Sequence, residues 1–219
     1  MNVKIFPVAP AKTKRPYGGK SADERRAGRR AVLLEAARAL WCESGWTAVT
    51  VRGVCARAAL ADRYFYESFA DRSAILVAVG DEVRGEAMTL ILEAVEPHLH
   101  DSPRVQLEAA VTAVVEFVAT DPGSTQIFFG DHGGSELLES LRRTMIASVV
   151  DVFLAFSDDY REPGFDERDF RIALLVGIGG FVETVGAWRS GAIDATAAEL
   201  VASLMRLADR MVVGQLRFT

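Results

Sequence analysis

The run TVRGVCARAALADRYFYESF, residues 50–69, holds two short helical patterns separated by three residues. Thr50 stands where a side-chain oxygen can cap a helix, and 51–57 supplies two turns with no β-alternation. Ala58, Ala59 and Leu60 break the pattern, and a second short helix is expected over 61–66. Upstream, Val32, Leu33, Ala36, Ala37, Leu40 and Trp41 recur at helical spacing, which predicts a longer helix over 25–44 ended by a left-handed Gly45. A longer helix followed by two short ones across a tight turn is the order of a helix-turn-helix, whose last helix enters the major groove of DNA.

The charge distribution points the same way. The chain has 219 residues and a net charge of −5, but residues 1–72 carry 14 Lys and Arg against 7 Asp and Glu, whereas 73–219 carry 11 Arg against 23 acids. A basic front suits a polyanion partner, and the acidic remainder has a separate task. All four lysines fall in the first twenty residues, where Pro7, Pro10, Pro16, Gly18 and Gly19 interrupt any period. Residues 1–22 therefore read as a flexible basic arm that continues through Arg25, Arg26, Arg29 and Arg30, suited to phosphate contact and counterion release.

Composition excludes several classes. Half of the residues are hydrophobic and 25% are charged, which is incompatible with disorder, collagen-like repeats or a disulfide scaffold. Cys42 and Cys55 lie thirteen positions apart with no CxxC pairing, excluding a zinc ribbon and a thioredoxin-type pair and suiting a reducing cytoplasm. The longest unbroken apolar run, 172–182, is shorter than the roughly 18 residues a spanning helix needs, and no apolar signal block opens the chain, so no membrane partner is expected. Gly19-Lys20-Ser21 lacks the earlier glycine and the preceding strand of a phosphate-binding loop. His98, His100 and Asp101 read as a surface loop, and Asp131-His132 with Ser135 lacks a nucleophile elbow. No enzyme activity, catalytic residue, metal or cofactor is expected.

Downstream the periodicity stays helical. Asp71 can cap a helix over 72–96 that Pro97 stops, and Pro103 opens another in which Glu108, Thr112 and Glu116 form a wet stripe. A short element over 125–129 is interrupted by Gly130, Gly133 and Gly134, and helices over 135–156 and 167–189 follow. The latter carries an apolar ridge of Leu174, Ile178, Phe181, Val185 and Trp188 beside a small-residue seam of Gly177, Gly180, Thr184, Ala187 and Gly191. The last helix opens with a capping box, Thr196 and Glu199, and has a ridge at Leu200, Leu204, Leu207 and Met211. Two such helices can form a four-helix bundle with their copies in a second subunit, giving a homodimer; packing within one chain is the alternative.

Residues 29–80, and above all 50–69, resemble the TetR family of bacterial transcription regulators, with the register held without a gap. Tyr66 and Phe69 match its usual string outright. Ala59 stands for the turn glycine, Ala61 for a serine, Tyr64 for a common threonine, Ser68 for a histidine and Arg72 for a lysine. The resemblance implies an all-α protein: a three-helix helix-turn-helix DNA-binding domain over 23–72, then a larger helical effector-binding and dimerisation domain over 73–219. It implies a cytoplasmic repressor of a palindromic double-stranded operator, released by a small lipophilic effector. An activator of the same fold, or a helical adaptor that does not bind DNA, is the alternative.

Within that frame Arg63 is the first choice for base readout, since a guanidinium can take guanine O6 and N7 together, and Arg52 is the second. Thr50, Tyr64, Tyr66 and Arg72 match family positions that hold phosphates. The aromatics of the acidic half resemble the lining of the family's effector domain, which makes Phe117, Phe128, Phe129, Phe153 and Phe181 candidates, with His132 as a polar handle.

Overall fold

The computed structural model describes residues 21–130, 132–213 and 215–217, apart from the side chains of Pro122 and Phe128. All but the last two residues of the basic arm expected at 1–22 lie outside this set. Among the described residues the chain forms nine α-helices: α1 (Ala22–Ser44), α2 (Val51–Arg57), α3 (Asp62–Tyr66), α4 (Arg72–Val95), α5 (Pro103–Thr120), α6 (Pro122–Phe129), α7 (Glu136–Phe156), α8 (Glu167–Arg189) and α9 (Ala197–Met211). The only β-pairing among them is an isolated bridge between Arg161 and Leu216.

Side-chain caps set most of the helix starts. Thr50, Asp71, Ser135, Asp166 and Thr196 each accept a backbone N–H from the first turn, and the helices after Thr50, Asp71 and Thr196 begin where those caps predict. Two starts differ from the periodicity. The first helix begins at Ala22, because Ser21 and Glu24 close a capping box ahead of the first buried apolar residue. The α6 helix begins at Pro122, because Asp121 accepts the Ser124 N–H at 3.0 Å and proline suits the first helical turn. Gly45 ends α1 at a φ of 79°, and its N–H donates to the Trp41 carbonyl.

The principal core joins Leu33, Ala37 and Trp41 of α1 to Val54, Phe65 and Phe69, then continues without a break into Ile75, Leu76, Val79 and Val83 of α4, Ile127 of α6 and Leu138 of α7. The packing thus crosses Arg72. Val115 of α5 packs with Leu200, Val201 and Met205 of α9 in a second cluster, and Val150, Leu154 and Phe170 form a third between α7 and α8.

The ridge expected on α8 divides between these clusters. Leu174 and Ile178 pack toward α7, whereas Phe181 and Trp188 pack toward α5 and α9. Gly177 faces Met211 of α9, and Leu207, expected on the inner ridge of α9, is exposed while Val201 and Met205 take its place. By length and composition α8 is apolar enough to cross a membrane, with a mean hydropathy of 1.6 over its best 18-residue window. That differs from the expectation drawn from the unbroken run, because the run stops at Arg171 and Glu183. Both pair with α7, to Asp151 and Arg142 respectively.

The turn between α2 and α3 keeps the shape that a glycine would give it. Ala59 sits at a φ of 51°, the one non-glycine residue with positive φ among those described. Because a Cβ is penalised there by about 1–2 kcal/mol, Ala59→Gly is expected to stabilise the protein despite glycine's greater freedom when unfolded. Thermal denaturation reads this as a rise in Tm; a fall would show that the turn carries no strain.

Candidate nucleic-acid interface

The α3 helix has five residues, too few to be stable alone, so its orientation comes from its buried side and its neighbours. Phe65 is fully buried and touches Phe69 at 5.7 Å between ring centres, anchoring the helix against α1. The opposite face is open: Asp62, Arg63, Tyr66 and Glu67 are all exposed, Tyr66 to 59%. Thr50 and Arg52 of the preceding segment are exposed as well.

Of the two acids on this face, Glu67 is paired within the protein. Glu67 accepts from Arg29 Nη2 of α1 at 2.8 Å. Asp62 lies beside Cys55, whose thiol is held above its ordinary value by burial first and then by that carboxylate. The Arg57 guanidinium is also taken up, by Glu43 through two hydrogen bonds of 2.7 and 2.6 Å, and this holds the Glu43 carboxyl below the usual carboxylate range. Arg52 and Arg63 make no ion pair with a described residue. Arg52 and Arg63 thus outnumber Asp62, the one acid here that pairs with no described cation.

Each candidate side chain has a defined local setting. Thr50 Oγ1 accepts the Gly53 N–H at 3.0 Å, which leaves its hydroxyl hydrogen available to donate. A Cβ at Gly53 would lie 3.0 Å from that oxygen, a tight contact that the glycine avoids. Arg63 Nη2 donates to Tyr64 Oη at 2.7 Å and its guanidinium carbon lies 4.6 Å from the Tyr64 ring centre. Tyr66 meets Phe65 edge-on at 5.5 Å and is otherwise solvated. Arg72, expected at a phosphate, is half-buried. Its Nε donates to the Val49 carbonyl at 2.5 Å and its Nη2 to the Trp46 carbonyl at 2.7 Å, with the guanidinium over the Trp46 ring. It ties the start of α4 to the segment that enters α2.

The head meets the rest of the chain at a polar node. Arg38 of α1 donates to both carboxylate oxygens of Glu86 on α4, at 2.5 and 2.7 Å, and to Ser124 Oγ of α6 at 2.7 Å. Burial pushes the Asp121 carboxyl up, but hydrogen bonds from the Ser124 hydroxyl and N–H and the charge of Arg38 outweigh it, and the net shift is downward. Nearby, His132 is only 8% exposed and meets Trp41 of α1 edge-on, 5.8 Å between ring centres. Periodicity could not reveal Arg38 or Ser124, which meet across 86 positions.

The effector candidates are spread over the helices of the body. Phe117, Phe129, Phe153 and Phe181 are half-buried on α5, α6, α7 and α8; the Phe128 side chain lies outside the described residues; and His132 faces the head. A hollow of about 340 Å³ lies between the end of α4 and α5, lined by Ala94, His98, Glu108, Thr112 and Glu116 among others, and one of about 740 Å³ lies at the start of α7. None of the five candidates with described side chains lines either hollow. The stripe Glu108, Thr112 and Glu116 lines the first.

Residues 33–79 match the family model described as bacterial regulatory proteins, tetR family. No curated protein matches the chain. Among solved structures it is similar to a TetR-like transcriptional regulator from Rhodococcus sp. RHA1, at 18% identity over 86% of this chain and 97% of that one, with a TM-score of 0.64. The transcriptional regulator FadR from Bacillus subtilis in complex with stearoyl-CoA is 17% identical over 84% and 98% of the two chains, with a TM-score of 0.66. The fatty acid degradation regulator FadR from Bacillus halodurans is 17% identical over 95% and 100%, with a TM-score of 0.64. At these identities the likeness establishes the fold.

Proposed function

We propose that this chain, whose residues 33–79 match the TetR-family model on the helical fold shared with TetR-like regulators, is a TetR-family regulator that represses transcription from a palindromic operator until a small lipophilic molecule releases it. DNA-binding transcriptional regulation is what this fold supports. The observation that carries the reading is the exposed face of α2 and α3, where Arg52 and Arg63 have no ion-pair partner among the described residues, Glu67 is paired with Arg29, and Asp62 is the remaining acid.

In this reading Arg63 contacts a guanine edge and Arg52 a second base, while Thr50, Tyr64 and Tyr66 hold phosphates. Arg72 serves the interface by holding the Trp46 and Val49 carbonyls, and so the entry to α2, in place. Residues 23–72 act as the DNA head and 73–219 as the effector and dimer body, with the protein in the cytoplasm beside its operator.

A second copy of the chain fits the apolar surface of the body. Ile172, Leu175 and Val176 of α8 and Val152 and Phe156 of α7 are exposed, and only 17% of the most apolar window of α8 is buried within one chain. Two-fold pairing would set the recognition helices about 34 Å apart, or a multiple of that, and would make the operator palindromic. A lipophilic effector is supported by the half-buried phenylalanines on α5, α7 and α8 and by the stearoyl-CoA held by the B. subtilis regulator of the same fold. An effector that prefers a conformation with wrongly spaced heads would weaken operator binding by linkage.

The test is selection from a random duplex pool with the purified full chain, combined with analytical ultracentrifugation. The expected result is a dimer that enriches a two-fold symmetric duplex, with affinity falling steeply as salt rises, at a log–log slope of about −0.9 per phosphate contact. Failure to enrich any duplex, or salt-independent retention, would overturn the reading.

A further inference from the structure

We infer that Arg29 of α1 is a positioning residue for base reading: it braces the Tyr64 ring on which Arg63 rests, and so sets the direction from which Arg63 meets the groove. The inference rests on the regulator reading above. Arg29 reaches α3 and the residue capping its end at two points three positions apart. Its guanidinium carbon lies 4.6 Å from the Tyr64 ring centre, and its Nη2 donates to Glu67 Oε2 at 2.8 Å. Arg63 lies at the same 4.6 Å from that ring and is fixed to it by its hydrogen bond to the Tyr64 hydroxyl.

Two cations sharing one ring repel each other, and Glu67 resolves the conflict. It neutralises Arg29, so the net positive charge at the ring belongs to Arg63 alone. A five-residue helix cannot orient a long flexible side chain through its own packing, so the platform has to come from another element, and α1 supplies it. Tyr64 replaces the threonine common at this position, and a threonine is too short to span Arg29 and Arg63. The brace is therefore a property of this chain's own residues. Arg29 and Glu67 side chains are 27% and 43% exposed, outside the core of Leu33, Ala37, Trp41 and Phe65, so the fold does not depend on them.

The experiment uses the duplex enriched by the wild-type full chain and a random duplex of equal length, with affinities measured by fluorescence anisotropy across a salt series. Arg29→Ala is expected to lose about fivefold to tenfold of the preference for the enriched duplex while its salt slope stays that of wild type. Arg29→Lys, which keeps the charge but not the planar stack, is expected to behave like Arg29→Ala. In an Arg63→Ala background, adding Arg29→Ala is expected to change the preference no further. Equal weakening on both duplexes with a slope reduced by about one would make Arg29 a phosphate contact and overturn the inference, as would full rescue by lysine. A wild-type protein that enriches no duplex would overturn the regulator reading instead, and this inference with it.

Discussion

Arg63→Ala is expected to weaken binding to the preferred duplex by about 1–3 kcal/mol, roughly a 5- to 150-fold rise in Kd, and to relax base preference at one position in each half-site. The effect falls on recognition because Arg63 is exposed and makes no contact that holds the head together; its one hydrogen bond is to the adjacent Tyr64. Giving up the hydrogen bond to the Tyr64 hydroxyl, while the guanidinium stays on the ring, offsets part of the gain on the base, so the loss on truncation belongs in the lower half of the range. Binding to random duplex should fall far less. Anisotropy titrations against the enriched duplex and its single-position variants separate the two components, and an unchanged Kd on the enriched duplex would remove Arg63 from base readout. Read from the family position alone, Arg72→Ala would weaken all duplexes equally. The structure adds a conformational component, because two carbonyls lose a charged donor and the entry to α2 loosens.

The features legible in the sequence were those carried by short-range chemistry. Thr50, Asp71 and Thr196 announce their helices because a cap needs only one oxygen within four residues of an N–H. The capping box of Ser21 and Glu24 was equally local and could have been read by the same rule, but an apolar period cannot mark a helical turn that lies outside the core. Ala59 kept its turn because Leu60 donates to the Cys55 carbonyl and Phe65 anchors α3, so tertiary packing overrode the missing glycine. The long-range groups were not legible. Arg29 with Glu67, Arg38 with Glu86 and Ser124, and Trp41 with His132 depend on how helices cross, and periodicity within one helix carries no information about its neighbour. For the same reason aromatic density suggested an effector lining but could not assign its members to one hollow, and His132 turned out to face α1.

Trp41→Ala is expected to have the largest effect on stability, about 3–5 kcal/mol, a fall in Tm of roughly 6–20 °C for a chain of this size. Trp41 is 2% exposed within the core that joins α1 to Val54, Phe65 and α4, and its ring also meets His132 in the connection between α6 and α7. Removing it opens a cavity that neither side can fill, because the Leu33, Ala37 and Phe65 side chains in the same core are themselves fully buried and closely packed. The shape of the transition matters as much as its midpoint. Since one core runs from α1 through α4 to Ile127 and Leu138, head and body are expected to melt together, and the whole transition should move down as a single step. Circular dichroism and differential scanning calorimetry on the full chain would check this. A profile with two steps, only one of them displaced, would mean that the head unfolds independently and that packing through Trp41 does not couple it to the body. Coupling is what an effector-controlled regulator requires, since a change among α5, α7 and α8 can bias the reading helix only through elements that both regions share. Trp41→Phe, which keeps an aromatic ring but not the indole's reach, is expected to cost less stability and to retain operator binding, separating the cavity from the contact with His132.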